Sequence, residues 1–152
     1  MISAIQDGDR LAIDSSGVIS YLNGTEETSP ACRWIFDELI AKGRNDSVLA
    51  TVTVAEALQR PIQRGDHAVR QLLDLLDSLE GLQVRSADFL VAAEAARIRA
   101  ETGLPLPDAI IIATAVLTSS QVLVTNDRLM AAAARQAVPE LKVVLLSEVA
   151  AV

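Results

Sequence analysis

Along this chain, short apolar runs alternate with segments whose apolar positions recur every three or four residues, a pattern that predicts strands separated by helices. Arg10–Asp14 reads as a short buried strand ending in an acid. A helix over Gly17–Leu22 follows and stops at Asn23-Gly24, a C-terminal cap signal. After a polar turn at Thr25–Ser29, Pro30 marks a favoured entry to a helix over Ala31–Ala41, with apolar residues at Ile35, Leu39 and Ile40 and Gly43 closing it. Ser47–Val52 is the second strand, and Thr53–Gln59 begins a helix that Pro61 is expected to end or kink. Asp66 opens another helix, with Val69, Leu72, Leu73, Leu76 and Leu79 on one face and Gly81 at its end. Leu82–Arg85 is a third, weaker strand, and the alanine-rich Asp88–Thr102 helix is closed by Gly103. Pro107-Asp108 opens an apolar helix through Leu117, Val122–Thr125 is the fourth strand, Arg128–Ala137 the next helix, and Lys142–Leu146 the last strand. Strands alternating with helices imply an α/β fold with a mostly parallel sheet covered on both faces.

Length sharpens that picture: 152 residues suit a single domain, 1–152, with one core. Hydrophobic residues make up 51% and aromatic residues only 3%, so the core is aliphatic and extensive stacking on bases is disfavoured. The net charge of −7 gives no overall basic surface. Any contact with nucleic acid must then come from a local basic patch, a metal or a basic partner. Cys32 is the only cysteine, so no internal disulfide forms, and a lone thiol fits a reducing cytoplasm. With His67 as the only histidine, Cys32 has no ready triad, and both residues read as incidental. The N-terminal MISAIQDGDR lacks the basic and apolar regions of a signal peptide. The apolar run IIIATAVL is too short to span a membrane, so a cytoplasmic protein is expected.

The candidate chemistry lies in four acids: Asp14 in LAIDSS, Glu56 in TVTVAEAL, Asp108 in LPLPDAIIIATA and Asp127 in VLVTND. Each has a structural alternative. Thr53-Val54-Ala55-Glu56 fits a capping box, Asp108 suits the positive end of a helix dipole, and Asp14 and Asp127 are ordinary N-cap residues. In an open α/β sheet, however, strand ends and the helix starts that follow them share one edge, where ligands bind. Asp14, Glu56 and Asp127 have that placement; Asp108 precedes the fourth strand, and the rule does not place it. Two carboxylates about 5 Å apart repel by roughly 3 kcal/mol at an effective dielectric near 20. No Lys or Arg lies close in sequence to Asp14 or Asp108, and Arg128 beside Asp127 is expected to turn outward. Hard oxygen ligands suit Mg²⁺, or Mn²⁺ as a substitute, and there is no cluster of Cys or His for zinc.

These motifs resemble those of the PIN-domain nucleases. The matching residues are Asp14-Ser15-Ser16, Glu56 in TVAEAL, Asp108 in DAIIIATA and Thr125-Asn126-Asp127, in the same order and over nearly the whole chain. DAIIIATA followed by VLVTND is the most specific part. Leu129 and Met130 stand where the family often has Phe, a departure expected to affect packing more than chemistry. The short single-domain form looks most like the toxin of a VapBC-type toxin–antitoxin pair. The resemblance implies a PIN-like three-layer fold with a five-stranded sheet, a metal-dependent ribonuclease, a homodimer, and an antitoxin that inserts a segment into the active-site groove. It also implies that Asp14 and Asp108 are the main Mg²⁺ ligands and that Glu56 and Asp127 complete the shell, hold a second ion or position water. Ser15 and Thr125 would orient the carboxylates, and Asn126 would contact metal-bound water or simply cap.

Other readings remain open at this level. Arg33, Arg60 and Arg64 are candidates to hold phosphates beside the site, or are solvated helix faces. Trp34 belongs to the core or to a partner groove. The domain is also compatible with an inert RNA- or protein-binding module, or with RNA processing instead of toxicity. A haloacid-dehalogenase-like phosphatase would want an Asp where Ser16 stands. A phosphoacceptor receiver would want a Lys at the end of a late strand, whereas Lys142 begins one. Both fit poorly.

Overall fold

The computed structural model describes residues 2–150. Its strands are β1 (Leu11–Ile13), β2 (Ser47–Ala50), β3 (Leu82–Arg85), β4 (Val122–Thr125) and β5 (Lys142–Leu145). They form one five-stranded sheet in the order β3-β2-β1-β4-β5, and every neighbouring pair is parallel. β1, β2 and β4 are buried along their whole length, as central strands covered on both faces should be. β3, the strand that reads as weakest, is a half-exposed edge.

Successive residues of a strand face opposite sides of the sheet, and the two cores divide accordingly. Ala12, Val48 and Leu123 face a core built with α5 (Phe89–Thr102), α6 (Leu106–Leu117) and α7 (Arg128–Ala137). Leu11, Ile13, Leu49 and Val124 face the other core, with α1 (Ser15–Asn23), α2 (Ser29–Arg33), α3 (Thr51–Arg64) and α4 (Asp66–Ser78). The result is the three-layer α/β arrangement expected. Among the described residues, no single helix is long and apolar enough to cross a membrane.

Four local features depart from the sequence reading. The helix expected over Ala31–Ala41 is α2 followed by a π-helical segment, Trp34–Ile40, in which Ala41 N donates to Phe36 O at 2.9 Å. Its buried residues Ile35, Phe36, Leu39 and Ile40 recur at intervals of four, which suits the wider π turn better than a 3.6-residue turn. Pro61 does not end α3, which continues to Arg64, and Pro61 O accepts from Gly65 N at 3.1 Å at the end of the helix. The expected capping box at Thr53–Glu56 does not form: α3 already starts at Thr51, after Ala50, and has no side-chain cap bond. Finally, Leu146 is not the end of the last strand but the first residue of a short helix, α8 (Leu146–Ala150), whose amphipathic signal is too short to read.

Two features place the site. The chain leaves β1 toward β2 on one side of the sheet, while β4 pairs on the other side, so the β1–β4 boundary is a topological switch point with a crevice at the strand ends. Gly17 lets α1 lie close over β1: a Cβ there would stand 2.9 Å from Ile13 Cγ2.

Candidate active site

Asp14 follows β1 directly and is 4% exposed. It caps α1, with Oδ1 accepting from Ser15 N at 2.7 Å and, more loosely, from Ser15 Oγ at 3.3 Å. Its Oδ2 accepts from Ser16 Oγ at 2.9 Å and from Thr125 Oγ1 at 2.8 Å. Each of these hydroxyls also accepts a backbone N–H from the β4–α7 turn: Ser16 Oγ from Asn126 N at 2.9 Å, Thr125 Oγ1 from Asp127 N at 3.0 Å. A hydroxyl that accepts a backbone N–H directs its single proton elsewhere, here to Asp14 Oδ2. The two strand ends at the switch point are thus laced together through one carboxylate oxygen.

Asp127 caps α7, its Oδ1 accepting from Leu129 N at 2.9 Å and Met130 N at 3.1 Å. The capping alternative therefore holds for Asp14 and Asp127, but each bond set fixes the carboxylate at the crevice instead of removing it. Asn126 is exposed, and its Oδ1 accepts from Ser147 N of α8 at 3.0 Å. Leu129 is exposed and Met130 is buried in the core, so only the second fills a packing position.

Glu56 and Asp108 have the opposite character. Glu56 is half-buried on the second turn of α3, and its Oε1 is buried with no hydrogen-bond partner. Burial, reinforced by the charges of Asp14 and Asp108, raises its pKa; the nearby Ser15 hydroxyl offsets part of this. Asp108 lies in the first turn of α6. Its presence at the same edge follows from the path of the chain: α6 ends beside the start of β1, where Arg10 Nη1 donates to Thr118 O at 2.7 Å. A helix of 12 residues spans about 18 Å, which puts its first turn at the other end of the sheet. Burial and then the charges of Asp127 and Asp14 push the Asp108 carboxyl up to about 6.

All four acids therefore share one electrostatic neighbourhood. None of the ion pairs among the described residues involves any of them. Arg128 turns away, its Nη2 donating weakly to Ser147 Oγ at 3.4 Å. An orphaned carboxylate oxygen and two acids, Glu56 and Asp108, raised by burial and neighbouring charge, with no cation paired to them among the described residues, fit a hard divalent ion. Among the described residues, no three acids, histidines or cysteines close into a ready-made coordination shell. Such a donor set suits a hydrated divalent ion held by one or two carboxylates and water more than an all-protein cage.

The PIN-domain profile matches residues 11–136, a span that includes all four acids. The chain belongs to the PIN-domain family. Its structure is similar to a toxin–antitoxin complex from Klebsiella pneumoniae, with a TM-score of 0.65 and 20% identity over 90% of this chain and 97% of that one. It is similar to FitAcB from Neisseria gonorrhoeae, with a TM-score of 0.64 and 25% identity over 88% and 95% of the two chains. A third likeness is to DNA-bound VapBC from Salmonella typhimurium, at a TM-score of 0.61 and 19% identity over 90% and 97%. No curated protein sequence matches the chain.

Elsewhere in this PIN domain, Cys32 is buried, and burial pushes its thiol up to about 11, which suits a core residue and not a nucleophile. His67 is exposed at the start of α4. Lys142 bonds Asp9 Oδ2 at 2.9 Å at the opposite edge of the sheet from the acids, where it cannot serve as a receiver lysine. Trp34 is half-buried and lines a shallow cavity with Ile2 and Val149, away from the acids. Arg60 and Arg64 line a cavity that Glu56 also borders, whereas Arg33 is exposed and does not.

Two contributors were given no role in the site from the sequence. Ser16 bridges Asp14 to Asn126, and its signal was a second hydroxyl directly after an N-cap acid. Ser147 anchors Asn126 through its backbone, which carries no side-chain signal at all.

Proposed function

We propose that this PIN domain is a Mg²⁺-dependent ribonuclease, the toxin of a VapBC-type toxin–antitoxin pair. The observation that carries the reading is the convergence of four acids with no ion pair to any of them among the described residues, and with Glu56 Oε1 left unpartnered. Asp14 and Asp108 would hold Mg²⁺, with Mn²⁺ as a substitute, and the ion would supply Lewis acidity and a lowered pKa for water. Asp14 is oriented by Ser15, Ser16 and Thr125 and cannot turn away without orphaning them. Glu56, with its raised pKa and an unpartnered carboxylate oxygen, is suited to take the proton of the attacking water. Asp127, already held by its cap, places negative charge beside Asp108 and completes the outer ligand set. Asn126 would orient bound water with its amide nitrogen, since its Oδ1 is committed to Ser147. In-line attack of water on phosphorus, with the 3′-oxygen leaving, gives 5′-phosphate and 3′-hydroxyl products.

The toxin role is supported by structural likeness to toxin–antitoxin complexes. An antitoxin segment in the active-site groove, a homodimer and a cytoplasmic location belong to the same proposal. The test is cleavage of an end-labelled single-stranded RNA with Mg²⁺ or with EDTA. Cleavage that requires Mg²⁺ and disappears in Asp108→Asn is expected. RNA bound but never cut by the unaltered protein would instead point to a binding module.

A further inference from the structure

Beside the acids, α1, α3 and α4 enclose a cavity of ≈ 250 Å³. Glu56 forms one end of it, so the cavity opens directly off the candidate active site. Ile19, Leu22 and Leu72 give it an apolar floor, while Arg60 and Arg64 stand along α3 on the same face as Glu56. Residues 56, 60 and 64 are spaced by four, so they stack one turn apart and each step advances about 6 Å along the helix. Neither arginine takes part in an ion pair among the described residues, although the chain carries a net charge of −7. Glu26 also borders the cavity, so its lining is of mixed charge, and the two guanidinium groups along α3 are the cations that an anionic strand leaving Glu56 would meet.

We propose that this cavity is a nucleotide subsite, in which Arg60 and Arg64 hold successive phosphates on one side of the scissile bond and the apolar floor receives one base. The proposal rests on the ribonuclease reading and adds to it the place where the substrate strand leaves the acids. The volume admits one residue-sized group, which matches a single unstacked base and not a stacked run. Arginine suits bidentate phosphate contact, and an aliphatic floor accepts a base without the aromatic platforms this chain lacks.

The test is binding of a fluorescent single-stranded RNA to full-length protein in the Asp108→Asn background, with Arg60→Gln/Arg64→Gln compared against the native arginines over a salt series. Both arginines are exposed, and circular dichroism checks that the fold survives. Loss of two phosphate contacts should weaken binding at least tenfold at low salt and reduce the salt slope by about 1.4. A Leu22→Gln change should alter preference among RNAs of different sequence while leaving the slope unchanged. Equal affinity and equal slope in the arginine variant would overturn the proposal. So would intact RNA binding together with lost binding of a short acidic peptide, which would give the arginines to a protein partner. Cutting of the RNA by the Asp108→Asn protein would signal a different failure, that of the ribonuclease assignment itself.

Discussion

The two halves of the acidic crevice are built on opposite principles. At the β1–β4 boundary, Asp14 accepts through both carboxylate oxygens and Asp127 through Oδ1, and the hydroxyls of Ser16 and Thr125 tie one turn to the other. On α3 and α6, Glu56 and Asp108 are half-buried, raised in pKa and short of partners. The first half supplies rigidity. The second holds unfavourable charge that no ion pair among the described residues neutralises. The contrast is what a cation site looks like when one side is the fixed frame and the other is the side the ion relieves.

Breaking the frame should have the largest effect. Asp14→Ala orphans two hydroxyls and two turns at once, so we expect a loss of about 3 kcal/mol in urea unfolding together with loss of RNA cleavage. Asp108→Asn, on the charged side, should do something different. Cleavage should vanish, yet the metal-free protein should gain a few degrees in Tm, about 3 °C for each 1 kcal/mol of repulsion removed. A fall in metal-free Tm would break the comparison.

Thr125→Val sharpens it. The substitution keeps the shape of the side chain but removes a donor to Asp14 and an acceptor for Asp127 N. A cost of about 1.5 kcal/mol in urea unfolding and a ten- to hundredfold loss of cleavage rate are expected, with partial rescue in Thr125→Ser.

The smallest effect is on pH dependence. The Asp108 carboxyl is raised to about 6 in the folded protein against 3.8 for its ordinary value, so the native state binds more protons between those limits. The stabilising contribution of its protonated form is fully present below about pH 4 and is lost as pH rises through about 6. Metal-free protein should therefore lose Tm, as far as this group is concerned, on going from pH 4 to 7. Glu56 contributes in the same direction. The Asp108→Asn protein should show a shallower fall.

Much of the fold was legible because periodicity carries it. β3, β4 and α7 lie where the apolar pattern puts them, and the parallel sheet follows from the alternation. Glu56, however, looked like half of a capping box until α3 was seen to start two residues earlier than expected, which frees its carboxylate. Local sequence favours a cap wherever Thr and Glu are three apart, and only the length of β2 decides otherwise. Asp108 was recognisable as a motif residue, but its location depends on the descent of α6 toward Arg10, a long-range fact. The anchoring of Asn126 by Ser147 N was illegible, since a backbone donor leaves no trace in residue identity. The cavity beside Glu56 was out of reach for a related reason: Arg60 and Arg64 were visible as cations, but their floor comes from α1 and α4.

The central claim, that these four acids make one divalent-cation site, is tested most directly by calorimetric titration of the metal-free protein with Mn²⁺ at pH 7, with Mg²⁺ as competitor. Saturable binding that Mg²⁺ displaces, weakened at least tenfold in Asp108→Asn, is the predicted result. Equal Mn²⁺ affinity in the two proteins, or no binding by either, would contradict it.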